Sequence, residues 1–202
     1  TFLNVSHSQV EEMIAHPIIR GVSLTGSEAA GRKIAETAGK NLKKCVLELG
    51  GSDAFIVCED ADVSKAAKDG AQARLQNNGQ TCVAGKRFII HEKVYQDFVE
   101  KFTEEYQKYQ PENPMNEETK LGLMAREDLA SDLEKQYQKA LNNGAKAIVA
   151  LEPVGSMAFK PGILENLLED DRDLEVIIDE FNDINDWRYG FIKYPQILKY
   201  CK

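Results

Sequence analysis

No stretch of this 202-residue chain runs apolar for the roughly 18 residues a membrane helix needs, so no membrane partner is expected. The opening residues, Thr1 to Met13, lack a basic stretch followed by an apolar one, so no secretory leader is expected. Histidine is scarce. His7, His16 and His91 are scattered, and none stands at ligand spacing from a cysteine. That argues against a zinc site, and no Ser-His-Asp or Cys-His arrangement is supported. The four cysteines, Cys45, Cys58, Cys82 and Cys201, form no Cys-x-x-Cys pair. Free thiols in a reducing cytoplasm are the expectation, rather than a disulfide framework.

What is present is an ordinary globular composition, with 43% hydrophobic residues and 29% charged. That is enough chain for one domain or two small ones. The net charge of −8 is unevenly placed. Ten acidic residues and one arginine lie between Glu165 and Asp186, a window of −9, which leaves the remainder at +1. The last 16 residues, Trp187 to Lys202, hold five aromatics, four basic residues and no acid. No basic face suggests a nucleic-acid partner.

Helix and strand signals alternate along the chain. Ser6 or Ser8 can cap a short helix through Val10, Met13 and Ile14 that ends before Pro17. Strands are predicted over Ile18–Leu24, Val46–Leu49, Ala54–Cys58, Phe88–Ile90 and Ala147–Leu151. Helices are predicted over Glu28–Ala38 closed by Gly39, over Asp62–Gln76, over Lys93–Tyr109 and over Glu127–Asn143 ended by Gly144. Val63, Ala66, Ala67 and Ala71 give the second of these a small-residue face. Val94, Phe98, Phe102 and Tyr106 give the third an apolar stripe. The rhythm implies a parallel sheet covered by helices, and it fades beyond Pro161.

Three places can carry chemistry. Gly26-Ser27-Glu28-Ala29-Ala30-Gly31 sits between a strand and a helix, where backbone N–H groups can meet a phosphate. It is neither a Walker A loop nor the Gly-x-Gly-x-x-Gly fingerprint, and taken alone it is a capped turn. Glu48 interrupts the apolar run Cys45-Val46-Leu47-Glu48-Leu49 before two glycines. On a buried strand its carboxyl needs a partner or a raised pKa, as a general base does; on a solvated strand face it needs neither. Cys82 follows the polar loop Asn77-Asn78-Gly79-Gln80-Thr81, exposed enough to react. Lys86 and Arg87 favour its thiolate if they face it; otherwise it is a bystander.

Together these runs resemble the aldehyde dehydrogenase superfamily. Leu47-Glu48-Leu49-Gly50-Gly51-Ser52-Asp53 is similar to its glutamate motif. Asn78-Gly79-Gln80-Thr81-Cys82-Val83-Ala84-Gly85-Lys86-Arg87-Phe88 is similar to its cysteine motif. Leu24-Thr25-Gly26-Ser27 followed by Gly31 resembles its cofactor-side turn, and the motif order also matches. Gly51-Ser52-Asp53 and Leu121-Gly122-Leu123-Met124-Ala125-Arg126 most resemble bacterial succinate-semialdehyde dehydrogenases. The resemblance implies Cys82 as nucleophile and Glu48 as the base that activates water. It implies Gly26, Ser27, Leu49 and Gly50 at an NAD or NADP site, with Gln80 supporting the nucleophile's loop. It implies a small-molecule aldehyde, such as succinate semialdehyde, as substrate.

The implied fold is α/β, a three-layer parallel-sheet aldehyde dehydrogenase-like fold in incomplete form. Residues 1–49 would be the end of a Rossmann-like cofactor domain and 50–164 part of the catalytic domain. Residues 165–202 form an acidic, then aromatic and basic tail outside the pattern, with Asp179-Glu180-Phe181 as a decayed echo of a Glu-x-Phe-Gly-Pro motif. Family members are more than twice this length. The segment that builds family homo-oligomers is expected to lie outside this chain, and the isolated chain is expected to have little activity. The alternative is an inactive remnant acting as an interaction module. A distal substrate carboxylate would need a cation, for which Arg74, Lys86 and Arg87 are available.

Overall fold

A computed structural model describes residues 3–166 and the backbone of Ile177–Phe181. The expected tail, residues 165–202, lies outside the described residues except for Glu165, Asn166 and the backbone of Ile177–Phe181. The chain divides into two compact units, Thr1–Gly51 and Ser52–Lys202.

The first unit is a helix followed by one β-α-β turn of chain. Helix α1 spans His7–Ala15. Its cap is Ser6, whose hydroxyl accepts from the Gln9 N–H while the Gln9 side chain accepts from the Ser6 N–H at 2.8 Å. This reciprocal box satisfies two N–H groups that the first helical turn leaves open. Strand β1 (Gly21–Thr25), helix α2 (Glu28–Lys40) and strand β2 (Lys44–Glu48) follow. The strands pair in parallel, Gly21 opposite Lys44 through Thr25 opposite Glu48. Gly39 was expected to close α2 but lies inside it. The helix runs on to a Schellman turn in which Leu42 N–H donates to Gly39 O and Lys43 N–H to Ala38 O, both at 3.0 Å. Leu42 therefore takes the left-handed position, φ 52°, that usually selects glycine. The backbone hydrogen bonds decide where the helix stops, and the glycine does not.

The second unit holds a five-stranded sheet in the order β3-β4-β9-β8-β5. Its strands are β3 (Asp53–Val57), β4 (Gly85–His91), β5 (Lys146–Val149), β8 (Ile163–Glu165) and β9 (Ile177–Phe181). A two-stranded ribbon, β6 (Glu152–Pro153) with β7 (Phe159–Lys160), connects β5 to β8. β3, β4, β9 and β8 pair in parallel, as the rhythm predicts, but β5 runs antiparallel to β8. A short ribbon can return the chain antiparallel; a parallel return needs a longer crossover. The sheet also continues past Pro161, where the sequence shows no periodic signal, because these strands are short. The frame Asp179-Glu180-Phe181 falls within β9, whose residues pair with Arg87–His91 on one side.

Helices α3 (Val63–Leu75) and α4 (Glu92–Tyr106) pack against each other and the sheet. Asp62 caps α3 by accepting from Lys65 N–H at 3.0 Å. The expected stripe of α4 is realised: Phe98, Phe102 and Tyr106 are buried with Phe88, Ile90 and Val57. Phe102 lies 4.6 Å from Phe88 and 5.2 Å from both Phe98 and Tyr106, centroid to centroid. The small face of α3 permits this. A Cβ on Gly70 would stand 2.9 Å from the Phe88 ring and 3.3 Å from that of Phe102.

Helix α5 (Glu127–Asn142) ends on Gly144 as expected, φ 102°, with Ala145 N–H donating to Ala140 O at 3.0 Å. Its Ala140 and Tyr137 pack with Leu164, whereas the adjacent Ile163 joins the cluster of α3 and α4. Neighbouring residues of a strand face opposite sides of the sheet, so helices cover both faces and the unit has three layers.

Candidate active site

The first unit gathers its candidates at the C-terminal ends of two parallel strands. Gly26 N–H donates to Glu48 O at 3.0 Å, which fastens the turn after β1 to the end of β2. Ser27 caps α2: its Oγ accepts from Ala30 N–H at 3.3 Å, and its carbonyl accepts from Gly31 N–H at 2.9 Å. Gly31 faces Leu49, whose Cδ2 would lie 2.7 Å from a Cβ there. Gly26, Ser27, Glu48 and Leu49 are thus brought together. Gly50 continues from them into open space, with nothing within 4 Å of where a Cβ would be. A 13-residue helix beginning at the C-terminal edge of a parallel pair presents N–H groups and a positive dipole end to an anion. With open space at Gly50 and only Leu24 near Gly26, at 3.8 Å, the residues present fit the diphosphate of a dinucleotide.

Glu48 does not sit on a buried strand. In β2, Lys44, Val46 and Glu48 are exposed while Cys45 and Leu47 are half-buried. Strand alternation places the carboxyl on the open face, so of the two readings of the apolar run the solvated one holds. The carboxyl is accessible to water.

The second unit carries Cys82, which is exposed, whereas Cys45 and Cys58 are half-buried. Cys82 sits in a turn closed by Ala84 N–H donating to Thr81 O at 3.1 Å. Thr81 Oγ1 donates to Gln76 O at 3.3 Å. Gln80 supports this loop by accepting from Ala125 N–H at 3.0 Å. Upstream is a tight 3-10 turn, Gln76–Gly79, in which Asn77, Asn78 and Gly79 all have positive φ, 52°, 58° and 73°. Asn78 has a larger part in this loop than its place in a motif conveys. The signal in the sequence is Asn-Asn-Gly itself, the residue types that most readily take left-handed backbone.

The basic candidates separate. Arg87 on β4 donates from Nε to Ser52 O at 2.9 Å. Arg74 is 1% exposed, and a Cβ on Gly79 would come within 3.0 Å of its Nη2. It lines an internal cleft with Asn78, Tyr106, Gly122 and Met157 and is no surface cation for a substrate carboxylate. The absence of a side chain at Gly79 leaves room for its guanidinium inside. Past Ala125, the Arg126 guanidinium grips the Asp128 carboxylate at the start of α5 and holds its pKa at about 2. Among the described residues, no group of three or more His, Cys, Asp or Glu could hold a metal ion. None of their helices is long and apolar enough to cross a membrane.

Comparison with known proteins adds a wider frame. The model of the aldehyde dehydrogenase family matches residues 3–175. The succinate-semialdehyde dehydrogenase [NADP(+)] of Deinococcus radiodurans is 42% identical over 173 residues, 85% of this chain and 36% of that protein. The succinate semialdehyde dehydrogenase [NAD(P)+] of Escherichia coli K12 is 42% identical over 168 residues, 82% of this chain and again 36% of the relative. This chain therefore spans little more than a third of the length of these curated relatives. Among solved structures, the succinic semialdehyde dehydrogenase of Streptococcus pyogenes in complex with NADP+ superposes with a TM-score of 0.81 at 36% identity. That superposition covers 89% of this chain and 41% of that one. A family match over most of the chain, together with the shared fold, shows that this chain belongs to the aldehyde dehydrogenase family.

Proposed function

We propose that this chain carries part of the catalytic machinery of an NAD(P)-dependent dehydrogenase that oxidises a small aldehyde, with succinate semialdehyde as the substrate, to its carboxylic acid. The observation that carries the reading is the exposed Cys82 on a braced loop, in a chain of this family. The relatives' names supply the substrate and cofactor.

In this mechanism the Cys82 thiolate adds to the aldehyde carbon. A C–S bond forms, the carbonyl π bond breaks, and its electron pair moves to oxygen as a thiohemiacetal. The Cys82 backbone N–H helps to hold that oxygen. A bound nicotinamide cofactor would supply the oxidation as acceptor of the hydride from the former aldehyde carbon, which leaves the substrate on Cys82 as a thioester. Gly26, Ser27, Leu49 and Gly50 would hold the cofactor, with its diphosphate at the start of α2. Glu48 takes a proton from water, which attacks the thioester carbon. The C–S bond breaks, the thiolate is regenerated and the acid leaves.

The test is a competition at the thiol, which reads out even where turnover is slow. Succinate semialdehyde should slow iodoacetamide labelling of Cys82 and leave Cys45 and Cys58 unaffected. In the same preparation, Cys82→Ala should abolish any aldehyde-dependent NADP reduction. A Cys82 labelling rate that is the same with and without aldehyde would refute the nucleophile. Little turnover by the 202-residue chain alone is the expected background.

A further inference from the structure

The loop that leads to Cys82 is held from behind mainly by the side chain of Asn78. The Asn78 carboxamide bonds at both ends: its Oδ1 accepts from Gly122 N–H at 2.6 Å, and its Nδ2 donates to Leu123 O at 2.7 Å. The partners fix which end is which, because only the NH2 group can face a carbonyl. Two opposed bonds to successive residues hold the carboxamide against the backbone of Gly122 and Leu123. Two residues on, Gln80 adds a third bond between the same two segments, to Ala125.

The geometry on both sides is demanding. Asn78 stands at φ 58°, ψ 31°, and Asn77 before it at φ 52°, ψ 42°. Left-handed backbone is unfavourable for side-chain-bearing residues and needs surrounding structure to hold it. On the far side, a Cβ on Gly122 would lie 3.4 Å from both amide atoms of Asn78 and 3.5 Å from Pro114 Cβ. The facing segment is itself anchored, since Met124 N–H donates to Met157 O at 2.8 Å.

We propose that Asn78 is a positioning residue for Cys82. By clamping the left-handed run to Gly122 and Leu123, it fixes the path of the backbone into the turn that presents the thiol. It acts through that backbone and not on the reacting atoms. The importance of this rests on Cys82 being the nucleophile; the clamp itself does not.

The experiment measures the orientation of residue 82 directly. A nitroxide is attached to Cys82 in the full 202-residue chain with Cys45, Cys58 and Cys201 replaced by serine. In that background the spectrum should show an immobilised label. Asn78→Ala should give a sharp, mobile spectrum. Asn78→Asp should fall between, because Asp keeps the acceptor for Gly122 and tolerates left-handed φ but loses the donor to Leu123. Amide exchange at Gly122 should quicken by at least roughly fivefold in Asn78→Ala, as for the loss of one hydrogen bond. Ala125, still bonded to Gln80, should change less. A label on Cys58, in a chain where it is the sole cysteine, serves as the control and should not respond.

Two results would overturn the proposal. One is an unchanged Cys82 spectrum while Gly122 exchange accelerates, which would mean a clamp without a positioning role. The other is equal loosening at Cys58, which would mean general destabilisation. If Asn78→Ala does not fold, Gly122→Ala crowds the same amide from the opposite side and should mobilise the label in its place. Failure of the nucleophile reading would appear separately, as aldehyde that gives Cys82 no protection, and would leave the label's dependence on Asn78 intact.

Discussion

In the unit that begins at Ser52, Phe88, Phe98, Phe102 and Tyr106 are fully shielded, with Phe98, Phe102 and Tyr106 stacked in succession and Phe88 tilted against Phe102. Among the described residues through Gly51 the buried apolar side chains are Ile14 and Ala38, while Val46 on β2 is 55% exposed and Leu42 97% exposed. Both units are built on strand–helix–strand rhythm, yet their order has different sources. The first relies on caps and a single polar link: the Ser6–Gln9 box, the Ser27 cap, and Lys43, which reaches across 27 positions to donate to His16 O at 2.6 Å beyond the end of α1. Its ion pairs, such as Lys40–Glu36 and Arg32–Glu28, are exposed, and such pairs contribute little. The second relies on a packed interior. A rhythm visible in sequence thus says where elements form, and not how firmly they are held.

Substitutions can break or sharpen this contrast. The largest effect is expected at Phe102→Ala, a loss of about 3–5 kcal/mol from the second unit. Val46→Ala should stay within about 0.5 kcal/mol. Urea unfolding read by hydrogen exchange in each unit compares the two, and equal costs would end the contrast. Next comes one substitution in two helices. Gly70→Ala and Gly31→Ala each gain about 1 kcal/mol in helix propensity. At Gly70 the new methyl meets aromatic rings packed on all sides, and overpacking of about 1–3 kcal/mol opposes the gain. At Gly31 it meets the end of Leu49, a flexible side chain. Thermal melts should show Gly70→Ala destabilised and Gly31→Ala neutral or better. Smallest is Leu42→Gly, which removes a left-handed leucine and should stabilise the first unit by about 1 kcal/mol. No gain there would mean that the Schellman turn at Leu42 carries little strain.

Much of this was legible in the residues. Caps at Ser6 and Ser27 and the terminator Gly144 act where their chemistry predicts, because capping is decided within a few residues. The stripe Phe98, Phe102, Tyr106 reads directly as a core face. The exposure of Cys82 follows from the polar loop before it. Other features depend on distant partners. Nothing near Arg74 in sequence indicates that its guanidinium is enclosed, since the room comes from Gly79 after a tight turn. Glu48 looked ambiguous because an apolar run does not say which face is covered. The bonds from Asn78 to Gly122 and Leu123 join residues more than forty positions apart, beyond the reach of any local pattern. The antiparallel entry of β5 likewise reflects a connection whose short strands carry no periodicity.

Strand β8 is three residues long, yet Ile163 and Leu164 serve different interiors, one beneath α3 and α4 and the other beneath α5. Such a strand has no tolerance for slippage. Inserting or deleting one residue before Ile163 would exchange the two side chains across the sheet and disturb both interiors together. Length around this point is therefore constrained more tightly than composition. Conservative exchanges among Ile, Leu and Val can be absorbed here, while a single-residue indel cannot.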